Sequence, residues 1–262
     1  MTVGDLPVRA NVLGTHISLT GYGEVAQVLA TSRSDRARVV AVCNVHSVMS
    51  ARRDRALAAA LDEADIATPD GMPLVWALRA LARPGQNRVY GPELMHRALI
   101  SGLTPGWKHF LYGTTQDTLD RLQRAIHHLA PGAVLVGTIA PPFRPLTPEE
   151  EDDVVATIRR SGAQIVWVGL GMPKQELWMH GVRHRLPGVT LVGVGAAFDI
   201  LAGTVRQAPP WMQRSGLEWL FRISQEPVRL WRRYLWNNPA FLGLLGIELI
   251  RHRARKLLTA RS

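Results

Sequence analysis

Gln164-Ile165-Val166-Trp167-Val168-Gly169, continued by Leu170-Gly171-Met172-Pro173-Lys174-Gln175-Glu176, is the stretch on which the fold reading turns. A short apolar, β-branched run stopped by glycine is the pattern of a strand buried on both faces. The two glycines, the proline and the polar residues after them mark a turn that leads into a helix. Neither a P-loop nor a full dinucleotide fingerprint is present, because Lys174 stands where the third glycine of the latter would be. Backbone N–H groups of Gly169 and Gly171, with Lys174 at the helix start, still suit a phosphate or a sugar.

The same alternation recurs along the first 200 residues. Val39 to Cys43, Asp65 to Ala67, His109 to Gly113, Ala133 to Gly137 and Thr190 to Gly195 read as further strands. Val45 to Leu61, with Arg52, Arg53 and Arg55 toward solvent, reads as one helix, as do Leu74 to Leu81 and Asp117 to Leu129. Thr114 or Thr115 is placed to cap the last of these. Thr147-Pro148-Glu149-Glu150 opens another: a capping Thr, proline at the first position and acids in the first turn. Repeated strand–helix units predict an α/β fold, a Rossmann-like and largely parallel sheet flanked by helices. Residues after its strands share one rim, so Asn44, Asp70 and Gln175 are expected near one another.

From Gly203 the pattern changes. Trp211 to Gln225, Val228 to about Trp236, and a segment after Pro239 read as three helices without intervening strands. The chain is therefore divided into an α/β domain over 1–202 and an all-helical basic appendage over 203–262. Of the net charge of +10, the appendage holds +8, from eleven Lys and Arg against three acids. Such asymmetry calls for an anionic partner: a phosphorylated substrate, anionic lipid or nucleic acid. Nucleic acid is the weakest of these, since no helix-turn-helix, zinc-finger or RNP pattern occurs.

Arg229 and Arg232, three apart on one helix, fall on one face, and Arg222 precedes them across Pro227. Guanidinium groups bind phosphate oxygens bidentately and stay charged. Trp219, Trp231, Tyr234 and Trp236 interleave with them and suit packing or a membrane interface. Asp70, in Thr68-Pro69-Asp70-Gly71, sits where a strand ends and is the candidate proton acceptor. No Asp-x-Asp pair and no zinc spacing occurs, so no metal is expected and arginines are left to neutralise a diphosphate. The single cysteine, Cys43, predicts a reducing compartment, and no run reaches the roughly 18–20 apolar residues of a membrane span. Met1 to Ala10 lacks the apolar stretch of a secretory signal.

Several segments in order resemble the WecG/TagA/CpsF glycosyltransferases of bacterial surface-polymer synthesis. They are Asn44 in its Cys-Asn-Val-His-Ser setting, Thr68 to Gly71, Arg88 to Leu94, Phe110 to Gly113, Val168 to Glu176, Gly193 to Asp199, and Gly216 to Arg222 on through Tyr234. The resemblance implies an inverting transfer, without metal or other cofactor, from a UDP-sugar donor to a polyprenyl-diphosphate-linked sugar. By position Asp70 resembles the family's base. Asn44, Arg88 and Gln175 resemble its pocket residues, and Arg222, Arg229 and Arg232 its appendage arginines. Val42 stands where members often carry Thr, which leaves the donor open among N-acetylmannosamine, another hexose and a uronate. A cytoplasmic protein held at the anionic inner face of the plasma membrane is the implied location. The alternative from another class is a nucleotide- or nucleic-acid-binding module whose basic helices grip a phosphate backbone.

Overall fold

The computed structural model describes residues 6–31 and 33–259, apart from the side chains of Arg229, Arg232, Arg233 and residues 255–259. Six strands form one sheet: β3 (Arg38–Cys43), β4 (Ile66–Pro69), β5 (Lys108–Gly113), β6 (Val134–Ile139), β7 (Ile165–Gly169) and β8 (Thr190–Gly193). Their order is β4-β3-β8-β7-β5-β6, and every pairing is parallel. The expected α/β class and all six predicted strands are present. A hairpin of β1 (Arg9–Val12) and β2 (Thr15–Ser18) precedes them.

Alternation along the central strands divides the core in two. Val39, Ala41 and Cys43 of β3 face one cluster, while Val40 and Val42 face the other. The first cluster is closed by α2 (Val45–Ala51), α3 (Arg55–Asp62), α4 (Met72–Leu81), α7 (Pro148–Ser161) and α8 (Lys174–Val182). The second is closed by α1 (Tyr22–Leu29), α5 (Gly91–Ser101), α6 (Gln116–Leu129) and α9 (Ala197–Leu201). Thr115 caps α6, and Thr147 with Glu150 makes a reciprocal capping box at α7.

Three sequence readings need correction. The single helix over 45–61 is two, because Asp54 turns extended and caps α3 through Ala56 and Leu57 N–H. The helix over 211–225 is likewise two, α10 (Pro210–Arg214) and α11 (Glu218–Gln225). Gly216 separates them at φ +72°, a left-handed conformation that ends a helix cheaply only in glycine. Conversely, Pro239 does not divide the last segment: α12 (Pro227–Thr259) runs through it. Proline forfeits one backbone hydrogen bond there, but Leu230 before it and Phe241 and Leu245 after it are buried, which anchors both halves.

Candidate active site

The carboxyl ends of the strands open onto one cavity of about 860 Å³, near the upper end of the range of small-molecule sites, about 300–1,000 Å³. Asn44 after β3, Asp70 after β4, Thr114 after β5, Gly169 after β7 and Gly195 after β8 all line it. The expected common rim is therefore present. A further part of the lining comes from α11 and α12, through Glu218, Trp219, Arg222, Leu230, Tyr234 and Asn238.

Asp70 is half-buried at this rim. Its backbone N–H donates to the Cys43 carbonyl, tying the turn to the neighbouring strand. Gly71 follows at φ +47° and donates its N–H to Asp70 Oδ1 at 2.9 Å. A side chain at that φ would be strained, so glycine lets the chain turn directly from β4 into α4. Oδ1 also accepts from Arg88 Nε at 2.9 Å, with Arg88 Nη2 at 2.8 Å. The same Nη2 donates to Glu218 Oε2 at 2.6 Å. Arg88 is held over the Tyr90 ring, 4.0 Å from its centroid, a cation–π contact that also limits its hydration. One guanidinium therefore bridges a carboxylate of the sheet rim and a carboxylate of α11.

Burial pushes the Asp70 carboxyl above the ordinary carboxylate range. Arg88 pulls it back, Glu218 adds to the rise, and Arg222 opposes it. Arg88 itself is held above its usual value by the two acids, which outweigh its own burial. A carboxylate with raised proton affinity beside a cavity suits proton abstraction.

Asn44 is partly committed to structure, since its Oδ1 accepts from His46 and Ser47 N–H and caps α2. Its amide NH2 remains for the cavity. Gln175 is buried, with Nε2 donating to Glu176 Oε1 at 2.9 Å and Oε1 without a partner among the described residues. Gly169 and Gly171 line the cavity beside exposed Lys174, the first residue of α8. Arg222 reaches the cavity, 3.7 Å from Glu226. Arg229 and Arg232 lie on α12, and their side chains are outside the described residues. Glu218 went unread in the sequence. A lone acid at the start of an amphipathic helix looks solvated, and its partner is 130 residues away. Among the described residues no cluster of His, Cys, Asp and Glu could hold a metal ion.

Fold and cavity define an α/β protein whose strands open at their carboxyl ends onto a crevice, the place where sheets of this kind commonly bind ligands. Residues 10–255 match the Glycosyl transferase WecG/TagA/CpsF family, and the chain belongs to that family of enzymes. It is similar to the N-acetylglucosaminyldiphosphoundecaprenol N-acetyl-beta-D-mannosaminyltransferase of Bacillus spizizenii, 32% identical over 181 residues. That alignment takes in 68% of this chain and 66% of the relative. A protein of the same name from Bacillus subtilis is 29% identical over 197 residues, 75% of each chain.

Proposed function

We propose that the protein transfers a sugar from a UDP-sugar to a polyprenyl-diphosphate-linked sugar during bacterial cell-surface polymer synthesis, with inversion and without a metal. N-acetylmannosamine is the donor sugar of first choice, as in the names of the two relatives, and Val42 keeps other hexoses and uronates as the ones to compare. The observation that carries the reading is Asp70, a carboxylate of raised proton affinity at the rim of a large cavity, with one oxygen tied down by Arg88 and Gly71. Single displacement needs one base. As the acceptor oxygen bonds to the anomeric carbon, its proton passes to Asp70 Oδ2, and the bond to the UDP oxygen breaks with its electron pair. Proton removal of this kind is worth roughly a hundredfold or more.

Charge gathers on the departing diphosphate. Arg222 lines the cavity where it can meet that charge, and Arg229 and Arg232 are assigned the same role. Donors poised for developing charge stabilise the transition state more than the ground state. Asn44, Gln175, Lys174 and the N–H groups of Gly169 and Gly171 hold the sugars and phosphates. Residues 1–202 act as the catalytic domain, and 203–262 as the appendage that completes the site.

The appendage also faces lipid in this reading. Trp211, Trp231, Trp236 and Ile250 are exposed on it, and nearby Lys or Arg adds about 1 kcal/mol each at an anionic leaflet. No helix among the described residues is long and apolar enough to cross a membrane. Sedimentation with anionic vesicles measures this association, and failure to bind them would remove it.

The decisive assay follows UDP release from UDP-N-acetylmannosamine, with a short-chain prenyl-diphosphate N-acetylglucosamine as acceptor. Asp70→Asn should keep the circular-dichroism spectrum and lose about a hundredfold or more in turnover. Near-parental turnover would remove Asp70 as the base. Salt-sensitive DNA binding without UDP affinity would favour the phosphate-backbone module instead.

A further inference from the structure

Among the described residues Glu218 meets the rim through Arg88, and it comes from a different part of the fold. The ion pair at 2.6 Å joins α11 to the segment that follows α4. Arg88, Asp70 and Glu218 are all shielded, at 14%, 17% and 17% side-chain exposure, so their charges act on one another with little screening by water. The guanidinium charge is thus divided between two carboxylates.

We propose that Glu218 is a positioning residue of the transfer site: by sharing Arg88 with Asp70 it couples the proton-accepting work of Asp70 to the seating of α11. This inference rests on Asp70 as the base. With α11 seated, Glu218 takes up part of the charge on Arg88, and Asp70 keeps its affinity for the acceptor proton. With α11 displaced, the whole guanidinium charge falls on Asp70 and weakens it as a base; Arg222 leaves with the same helix, but its opposing pull on Asp70 is smaller than the push of Glu218. Transfer is then strong only when the wall carrying Trp219 and Arg222 is in place. This timing protects the donor, because a competent base in an open, wet cleft would activate water as readily as the acceptor hydroxyl.

Several titratable and charged groups face Asp70. Arg88 approaches from the segment after α4, and Glu218 and Arg222 from α11. Tyr22, Tyr90 and Cys43 also interact with it, and burial raises all three, so they stay neutral near pH 7. Glu218 is the acid among these that raises Asp70, so removing its charge must lower the Asp70 titration.

The test uses full-length protein carrying Glu218→Gln, which preserves shape and removes charge. In the UDP-release assay kcat should fall about tenfold, and the acid limb of kcat/KM should move down by about half a pH unit or more. A purely structural anchor would lower activity without moving that limb. The Asp70 carboxyl, assigned with Asp70→Asn, can be followed by carbon-13 NMR, which reads the same shift without turnover. If the glutamine variant does not fold, Glu218→Asp withdraws the charge by one methylene and should move the midpoint the same way by less. An unmoved Asp70 midpoint, whatever the turnover, overturns the role of Glu218. Full turnover in Asp70→Asn would instead overturn the base reading on which it stands.

Discussion

Arg88 Nη2 lies 2.8 Å from Asp70 Oδ1, which places a permanent positive charge against the carboxylate at the cavity rim. That charge lowers the proton affinity of Asp70. Arg88→Gln therefore raises it, and the acid limb of kcat/KM should move to higher pH, opposite to the effect of Glu218→Gln. Two shielded carboxylates would also lose their common partner, at a cost of about 3 kcal/mol. A pH–rate profile and urea unfolding measure the two effects. A limb that stays in place would mean that Asp70 does not govern the rate.

Gly113 and Gly169 meet at the ends of β5 and β7, with no room between their backbones. A Cβ at Gly113 would stand 2.5 Å from the Gly169 carbonyl carbon, and φ there is +135°. A Cβ at Gly169 would stand 2.5 Å from the ring of Phe198, which is fully buried. Gly169→Ala should destabilise the protein by about 1–3 kcal/mol and weaken UDP binding, because the rim must shift to fit the methyl. Thermal melts with and without UDP provide the check, and an unchanged melting temperature would contradict this packing.

Phe241 ties α12 to the main core, fully buried beside residues of α2 and α4. Phe241→Ala should cost about 3–5 kcal/mol. Leu242, the next residue, is exposed, and Leu242→Ala should stay within about 0.5 kcal/mol. Equal losses in the two variants would show that α12 does not pack as described.

Turnover should be unchanged after exhaustive treatment with EDTA, because cationic side chains are proposed to neutralise the diphosphate. Activity that disappears with chelation and returns with Mg²⁺ would overturn that proposal.

The six sheet strands were legible because each is a short apolar run stopped by a turn former, and buried parallel strands need no more. Asn44, Asp70 and Gly169 followed from them, since residues after parallel strands share an edge. The hairpin of β1 and β2 was not legible. Its turn uses Leu13 at φ +53° and Gly14, not the usual Asn-Gly signal. Distant groups hold it: Leu13 N–H donates to Glu248 on α12, and its carbonyl accepts from Arg52. The continuity of α12 through Pro239 was hidden for the same reason, as burial of Phe241 outweighs the local preference for a break.

The sequence by itself determined the parallel sheet, the rim on which Asp70 stands and the surplus of positive charge at the C-terminal end. Those properties follow from residue type and short-range periodicity. Only the tertiary structure decided that Arg88 is shared between Asp70 and Glu218, because two acids compete for one guanidinium only when segments 130 residues apart are brought into contact and shielded from water. Chain periodicity carries no record of that approach; the seating of α11 beside α12, which brings Glu218 to Arg88, creates it.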